Sequence, residues 1–146
     1  MNFLIVTGLS GAGKSMAVNA LEDIGFFCID NIPAGLLPRI LDFALQGENQ
    51  LSRVAVVMDI RGLHSVQETN EALEALDEKK MPYDILFLDA SDAAIRRRYK
   101  ETRRVHPMTI SEGIPVSEAI TKERQILQPL RERAKYVIDT LSLINI

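Results

Sequence analysis

One cysteine and two histidines in 146 residues leave little material for disulfide or zinc chemistry. The lone Cys28 excludes an intrachain disulfide and a multi-cysteine metal site. Within Phe26-Phe27-Cys28-Ile29 it reads as a small buried apolar residue, a usage that fits an intracellular setting. His64 and His106 have no cysteine neighbours at ligand spacing, so each reads as a surface or hydrogen-bonding histidine. No apolar stretch approaches the roughly 18 residues of a spanning helix. Met1-Asn2 brings no basic leader, and Gly8 soon interrupts the first apolar run. A cytoplasmic protein with no membrane association is the expectation. Positive charge is also short: 17 Lys and Arg against 20 Asp and Glu give −3 and a pI of about 5.4. The chain as a whole is therefore no electrostatic binder of nucleic acid. Internal repeats and low-complexity segments are missing too.

A hydrophobic share of 47% over this length is enough for one packed domain, residues 1–146. Short, continuously apolar runs at 3–7, 26–29, 54–58, 85–88 and 136–139 read as strands. Between them lie helical patterns at 14–24, 34–46, 65–80, 93–100 and 117–134. Their expected inward faces are Ala17, Leu21 and Ile24; Leu37, Ile40, Leu41, Ala44 and Leu45; Val66, Leu73 and Leu76; and Ile120, Leu127, Leu130 and Ala134. Gly25 suits a C-cap and Ser91 an N-cap. Pro129 is expected to bend the last helix, and residues 102–115, with two prolines and a glycine, read mostly as a mobile loop. Alternating strands and helices call for a mostly parallel five-stranded sheet covered on both faces, an α/β three-layer sandwich. The chain ends soon after the fifth strand, before a closing helix, which reads as a domain cut from a longer protein.

The first strand runs into Gly8-Leu9-Ser10-Gly11-Ala12-Gly13-Lys14-Ser15, the full G-x-x-x-x-G-K-[ST] phosphate-binding pattern in its strand–loop–helix context. Glycines let successive backbone N–H groups curl around a polyphosphate at a helix N-terminus. Lys14 can reach the β- and γ-phosphates, and Ser15 can place a hydroxyl on Mg²⁺. A second acidic position for the metal is available twice, at Asp59 after Val56-Val57-Met58 and at Asp89 after Leu86-Phe87-Leu88, with Asp59 the first choice. Asp30 ends the second strand and could activate an acceptor or water, or simply open the next helix. Ser10 needs no nucleophilic role.

Residues 96–106, Arg-Arg-Arg-Tyr-Lys-Glu-Thr-Arg-Arg-Val-His, hold six cationic side chains and one carboxylate, +5 in a chain of −3, so the remainder carries −8. The cluster could be a solvated face. As a lid, Arg103 and Arg104 among them would neutralise charge on a reacting triphosphate. As a nucleic-acid patch, the arginines would meet backbone phosphates, with Tyr99 and His106 available for stacking.

The ordered series Gly8 through Ser15, Ala20-Leu21-Glu22-Asp23-Ile24-Gly25-Phe26-Phe27-Cys28-Ile29-Asp30-Asn31-Ile32-Pro33, Asp59-Ile60-Arg61, Leu86-Phe87-Leu88-Asp89-Ala90, Glu101-Thr102-Arg103-Arg104-Val105-His106-Pro107, Glu123-Arg124, Pro129-Leu130-Arg131 and Val137-Ile138-Asp139-Thr140 resembles the RapZ/YvcJ family of bacterial P-loop nucleotide-binding proteins. The resemblance covers essentially the whole chain and matches only the N-terminal, kinase-like half of family members. It implies a P-loop NTPase fold, a cytoplasmic protein, binding of ATP and GTP with Mg²⁺, and weak hydrolysis of both. It places the family's guanine-nucleotide segment on Asp59, Ile60, Arg61 and Gly62. In enterobacterial members it implies an RNase adapter that binds small RNAs, largely through the other half. Gly62 stands where those relatives tend to have asparagine, and the wording is closer to the Gram-positive branch.

Three functions compete. The first is a regulatory nucleoside triphosphatase acting through a partner. The others are an RNA-binding adapter that takes nucleotide as ligand and, third, a small-molecule kinase, whose acceptor pocket has only residues 30–33 as a candidate. ATP against GTP, the partner and a homo-oligomeric state stay open.

Overall fold

The computed structural model describes residues 2–30, 32–45, 53–59, 66–80, 82–102 and 105–139. Five strands form one sheet: β1 (Asn2–Gly8), β2 (Phe27–Ile29), β3 (Arg53–Val57), β4 (Asp84–Asp89) and β5 (Tyr136–Asp139). Their order is β2-β3-β1-β4-β5, and among the described residues every pairing is parallel, as the alternation of strands and helices requires. Parallel neighbours need crossovers, and the helices supply them: α1 (Lys14–Asp23), α2 (Leu37–Leu45), α3 (Val66–Glu78), α4 (Asp92–Thr102), α5 (Pro107–Glu112) and α6 (Val116–Glu132). A 3₁₀ turn at Ala34–Leu36 leads into α2, where Pro38 sits in the first turn and loses no helical hydrogen bond.

β1 lies at the centre, and its neighbouring residues Ile5 and Val6, which point to opposite faces, are both fully buried. Helices therefore cover the sheet on both sides. α1 packs on β1, β2 and β3, while α6 packs on β1 and β4 and against α3. Leu41, Leu73, Leu76, Ile120 and Leu127 reach into this core with almost no exposed surface. Each such side chain contributes roughly 1.5–3 kcal/mol by leaving water.

Helix ends follow the expected chemistry in two places. Gly25, φ +96°, closes α1 by donating to the Glu22 carbonyl at 3.0 Å. Ser91 Oγ accepts the Ala94 N–H at 3.1 Å and caps α4. Ile24 and Val66 depart from expectation and are exposed, because each stands at a helix end past the face that meets the sheet. Leu37, Leu41 and Ala44 are buried as their spacing requires, while Ala17, Leu21, Ile40 and Ala134 are half-buried. Pro129 lies inside α6, which continues to Glu132.

The stretch expected to be loop contains α5. Pro107 stands at the first helical position, where its missing N–H costs nothing, and Gly113 ends the helix. The cap is His106, whose Nδ1 accepts the Met108 N–H at 3.0 Å. Histidine is an uncommon N-cap, so the usual Ser/Thr/Asp/Asn signal was missing.

Candidate functional site

The phosphate loop leaves the carboxyl end of β1, between β3 and β4. The chain order reverses across this strand, which is where open parallel sheets place ligands. Gly8 is forced by close packing. A Cβ there would meet the Leu88 carbonyl oxygen of β4 at 2.3 Å, and φ is +154°. Gly13, φ +91°, turns the chain into α1, whose N-terminus has no side-chain cap. A helix N-terminus of this kind attracts anions.

Ser10, Gly11, Gly13, Lys14, Ser15 and Asp59 line one cavity of about 400 Å³. Arg98, Tyr99, Met16, Val105 and Pro107 form its remaining wall. Leu9 and Ala12 do not line it; both side chains are wholly buried and pin the loop to the core. Leu9 N–H donates to the Leu88 carbonyl at 3.3 Å, and Ala12 N–H to the Leu9 carbonyl at 3.0 Å. Lys14 Nζ donates to the carbonyls of Gly8 at 3.0 Å and Leu9 at 3.1 Å, so its charge is held over the loop. Ser15 is exposed to the cavity, and Asp59 is 8% exposed at the end of β3. Met58 N–H bonds the Val6 carbonyl at 2.9 Å, which brings Asp59 beside the loop.

Asp89, the alternative acid, is occupied otherwise. Ala90 N–H reaches its Oδ1 at 2.8 Å, Arg124 Nη1 the same oxygen at 3.0 Å, and Arg131 Nε its Oδ2 at 3.2 Å. Burial pushes this carboxyl up, but the Ala90 N–H and the two guanidinium groups outweigh it, and its pKa falls below the ordinary value. Arg124 also bonds Asp92 and the Ala90 carbonyl; burial lowers its own pKa, but the Asp89 and Asp92 carboxylates outweigh that and raise it. Asp89 is thus an anchor for α6 rather than a cavity acid. Asp30 is exposed beyond β2 and does not line the cavity.

The basic stretch divides. Arg98 faces the cavity, while Arg96, Arg97 and Lys100 are exposed on α4. Tyr99 and His106, which the nucleic-acid alternative would use for stacking, are buried at 8% and 0% and lie against each other with ring centroids 5.7 Å apart; His106 is the hydrogen-bonding kind of histidine. The His106 ring is enclosed inside the protein, while Tyr99 keeps its place in the cavity wall. Asn31, Ile60, Arg61, Gly62, His64, Arg103 and Arg104 lie outside the described residues.

Sequence reasoning missed Glu123. This residue of α6 is wholly buried, and its carboxylate accepts Ser10 N–H at 2.9 Å, Ser10 Oγ–H at 2.6 Å and His106 Nε2–H at 3.1 Å. Besides its place in the Glu123-Arg124 pair of the family-like series, its signal was a glutamate on the apolar side of α6, four places after Ala119 and four before Leu127.

The fold is shared with solved P-loop kinases. A shikimate kinase from Bacteroides thetaiotaomicron matches 95% of this chain and 86% of its own at a TM-score of 0.59 and 15% identity. A gluconokinase from Sinorhizobium meliloti 1021 matches 95% and 82% at 0.54 and 18%. Sequence relatives are much nearer. A nucleotide-binding protein of Alkaliphilus oremlandii is 46% identical over 98% of this chain and 49% of its own length. One from Oceanobacillus iheyensis is 48% identical over 96% and 47%. The chain spans about half the length of these curated relatives. The family described as the RapZ-like N-terminal domain matches residues 1–145, and this chain belongs to that family.

Proposed function

We propose that this chain binds a nucleoside triphosphate with Mg²⁺ and hydrolyses ATP and GTP slowly, as the nucleotide-sensing half of a regulatory protein. The observation that carries the reading is the joint lining of one cavity by the phosphate loop, the Lys14 ammonium, the Ser15 hydroxyl and the Asp59 carboxylate. Ser15 and Asp59 offer oxygen donors of the kind Mg²⁺ takes and would hold it, Asp59 through water. The ion, when bound, neutralises phosphate charge. Lys14 shifts donors from the Gly8 and Leu9 carbonyls to phosphate oxygens, and Arg98 supplies further positive charge from the facing wall. The printed names of the relatives, nucleotide-binding protein, support the binding step. Cytoplasmic residence follows from this function.

A second reading rests on the exposed Arg96, Arg97 and Lys100, which present a cationic face suited to an RNA backbone. A small-molecule kinase is the third. A groove of about 300 Å³ beside Pro33 and Ala34, with Glu68 and Glu71 on its α3 side, is the place for its acceptor. Steady phosphate release from pure protein with ATP or GTP and no acceptor separates the hydrolase from the kinase. Turnover that starts only when an acceptor is added contradicts the hydrolase.

A further inference from the structure

A carboxylate with no exposed surface is costly unless every oxygen is satisfied, and Glu123 meets that condition by gripping the phosphate loop. Its two oxygens hold both the backbone N–H and the hydroxyl of Ser10, at 2.9 and 2.6 Å. Two-point contact of this kind fixes a residue's peptide plane as well as its position. The third donor is His106, and its tautomer follows from its other nitrogen. Nδ1 accepts the Met108 N–H at 3.0 Å and so carries no proton, which leaves the proton on Nε2, pointing at Glu123 Oε1. The ring is a strut between the first turn of α5 and the carboxylate on α6.

Lys14 fastens the same loop from the opposite side, through the carbonyls of Gly8 and Leu9. That ammonium is also the group that serves phosphate, so the inner hold loosens when a ligand takes its donors. The hold on Ser10 is made instead by a carboxylate that does not itself line the cavity. We propose that Glu123, oriented by His106, is a positioning residue that keeps the phosphate loop curled for a nucleoside triphosphate from behind. The proposal rests on the nucleotide-binding reading above.

The test compares Mg-ATP and Mg-GTP dissociation constants and thermal stability for the wild-type chain, Glu123→Gln, Ser10→Ala, His106→Gln, His106→Asn and Leu41→Ala. Glutamine at 123 turns a donor towards the Ser10 hydroxyl, and affinity is expected to fall about tenfold or more, the loss typical of a charge-assisted hydrogen bond. Ser10→Ala, which keeps the backbone contact and carries the test if Glu123→Gln does not fold, weakens binding by a smaller factor. The two histidine variants divide the ring by atom. Glutamine's amide nitrogen replaces Nε2, whereas asparagine's amide oxygen replaces Nδ1 as the helix cap and leaves Glu123 without its donor. His106→Asn is therefore expected to bind more weakly than His106→Gln. Leu41→Ala, in the core under α2, lowers stability without lowering affinity. Wild-type affinity in folded Glu123→Gln and Ser10→Ala, or affinity that follows stability through Leu41→Ala as well, overturns the positioning role alone. Failure of the wild-type chain to bind either nucleotide overturns it together with the nucleotide reading.

Discussion

Arg124 and Asp89 join α6 to the end of β4 through an Nη1–Oδ1 contact of 3.0 Å, with Arg131 about two turns further along closing on the other carboxylate oxygen at 3.2 Å. The helix that carries Glu123 is seated on the sheet by this pair, one residue away in sequence. The cluster belongs to the architecture behind the loop and engages Asp89, while Asp59 lines the cavity.

Asp89 makes stability depend on pH. Its folded pKa lies below the ordinary carboxylate value because the Ala90 N–H and Arg124 and Arg131 outweigh burial. Between the two values the unfolded chain binds the proton and the folded one does not, so this stabilisation is complete above about pH 4 and fades as pH falls through the folded value. The contacts are partly open to solvent, so Asp89→Asn is expected to cost only about 1 kcal/mol at neutral pH. Urea denaturation at pH 7 and pH 3 checks this: the wild type and the variant converge at the lower pH.

The two aspartates should separate functionally. Asp59→Asn is expected to lower Mg²⁺-dependent phosphate release per folded molecule at least about tenfold. Asp89→Asn is expected to lose stability and keep turnover per folded molecule. Equal effects of both on turnover would contradict the division.

Gly8→Ala should fail outright. The added methyl meets a backbone carbonyl of β4 at 2.3 Å, which no side-chain rotation relieves. A loss of about 3 kcal/mol or more is expected, seen as a lower denaturation midpoint or as insoluble protein. Gly35→Ala, where a Cβ meets nothing within 4 Å, serves as the control.

The cationic face of α4 gives the RNA reading a direct measurement. Replacing Arg96 and Arg97 with alanine should reduce retention of a single-stranded RNA and lower the slope of log affinity against log salt by about 1 per lost phosphate contact. An unchanged slope removes that reading.

Much of the fold was legible because continuous apolar strands alternate with helical periods, and the loop's spelling located the ligand end of β1. Apolar spacing also placed Leu41, Leu73, Leu76 and Leu127 in the core. What stayed hidden depends on long-range contact. Nothing local marks His106 as a helix cap or Tyr99 as packed on its ring, so residues 102–115 read mostly as loop and stacking on both rings stood as an alternative. Asp59 and Asp89 look alike as strand ends, and the arginines of α6 that hold Asp89 are long-range partners no local pattern announces. Glu123 sits 113 residues from Ser10 in sequence, and no periodicity connects them.

The central claim is that the Gly8–Ser15 loop binds nucleoside triphosphate through Lys14, and calorimetric titration of Mg-ATP and Mg-GTP into wild-type and Lys14→Ala protein tests it most directly. Saturable binding by the wild type, lost or weakened at least about a hundredfold in the folded variant, is the predicted result. Equal affinity of the two proteins, or no binding by the wild type, would contradict the account.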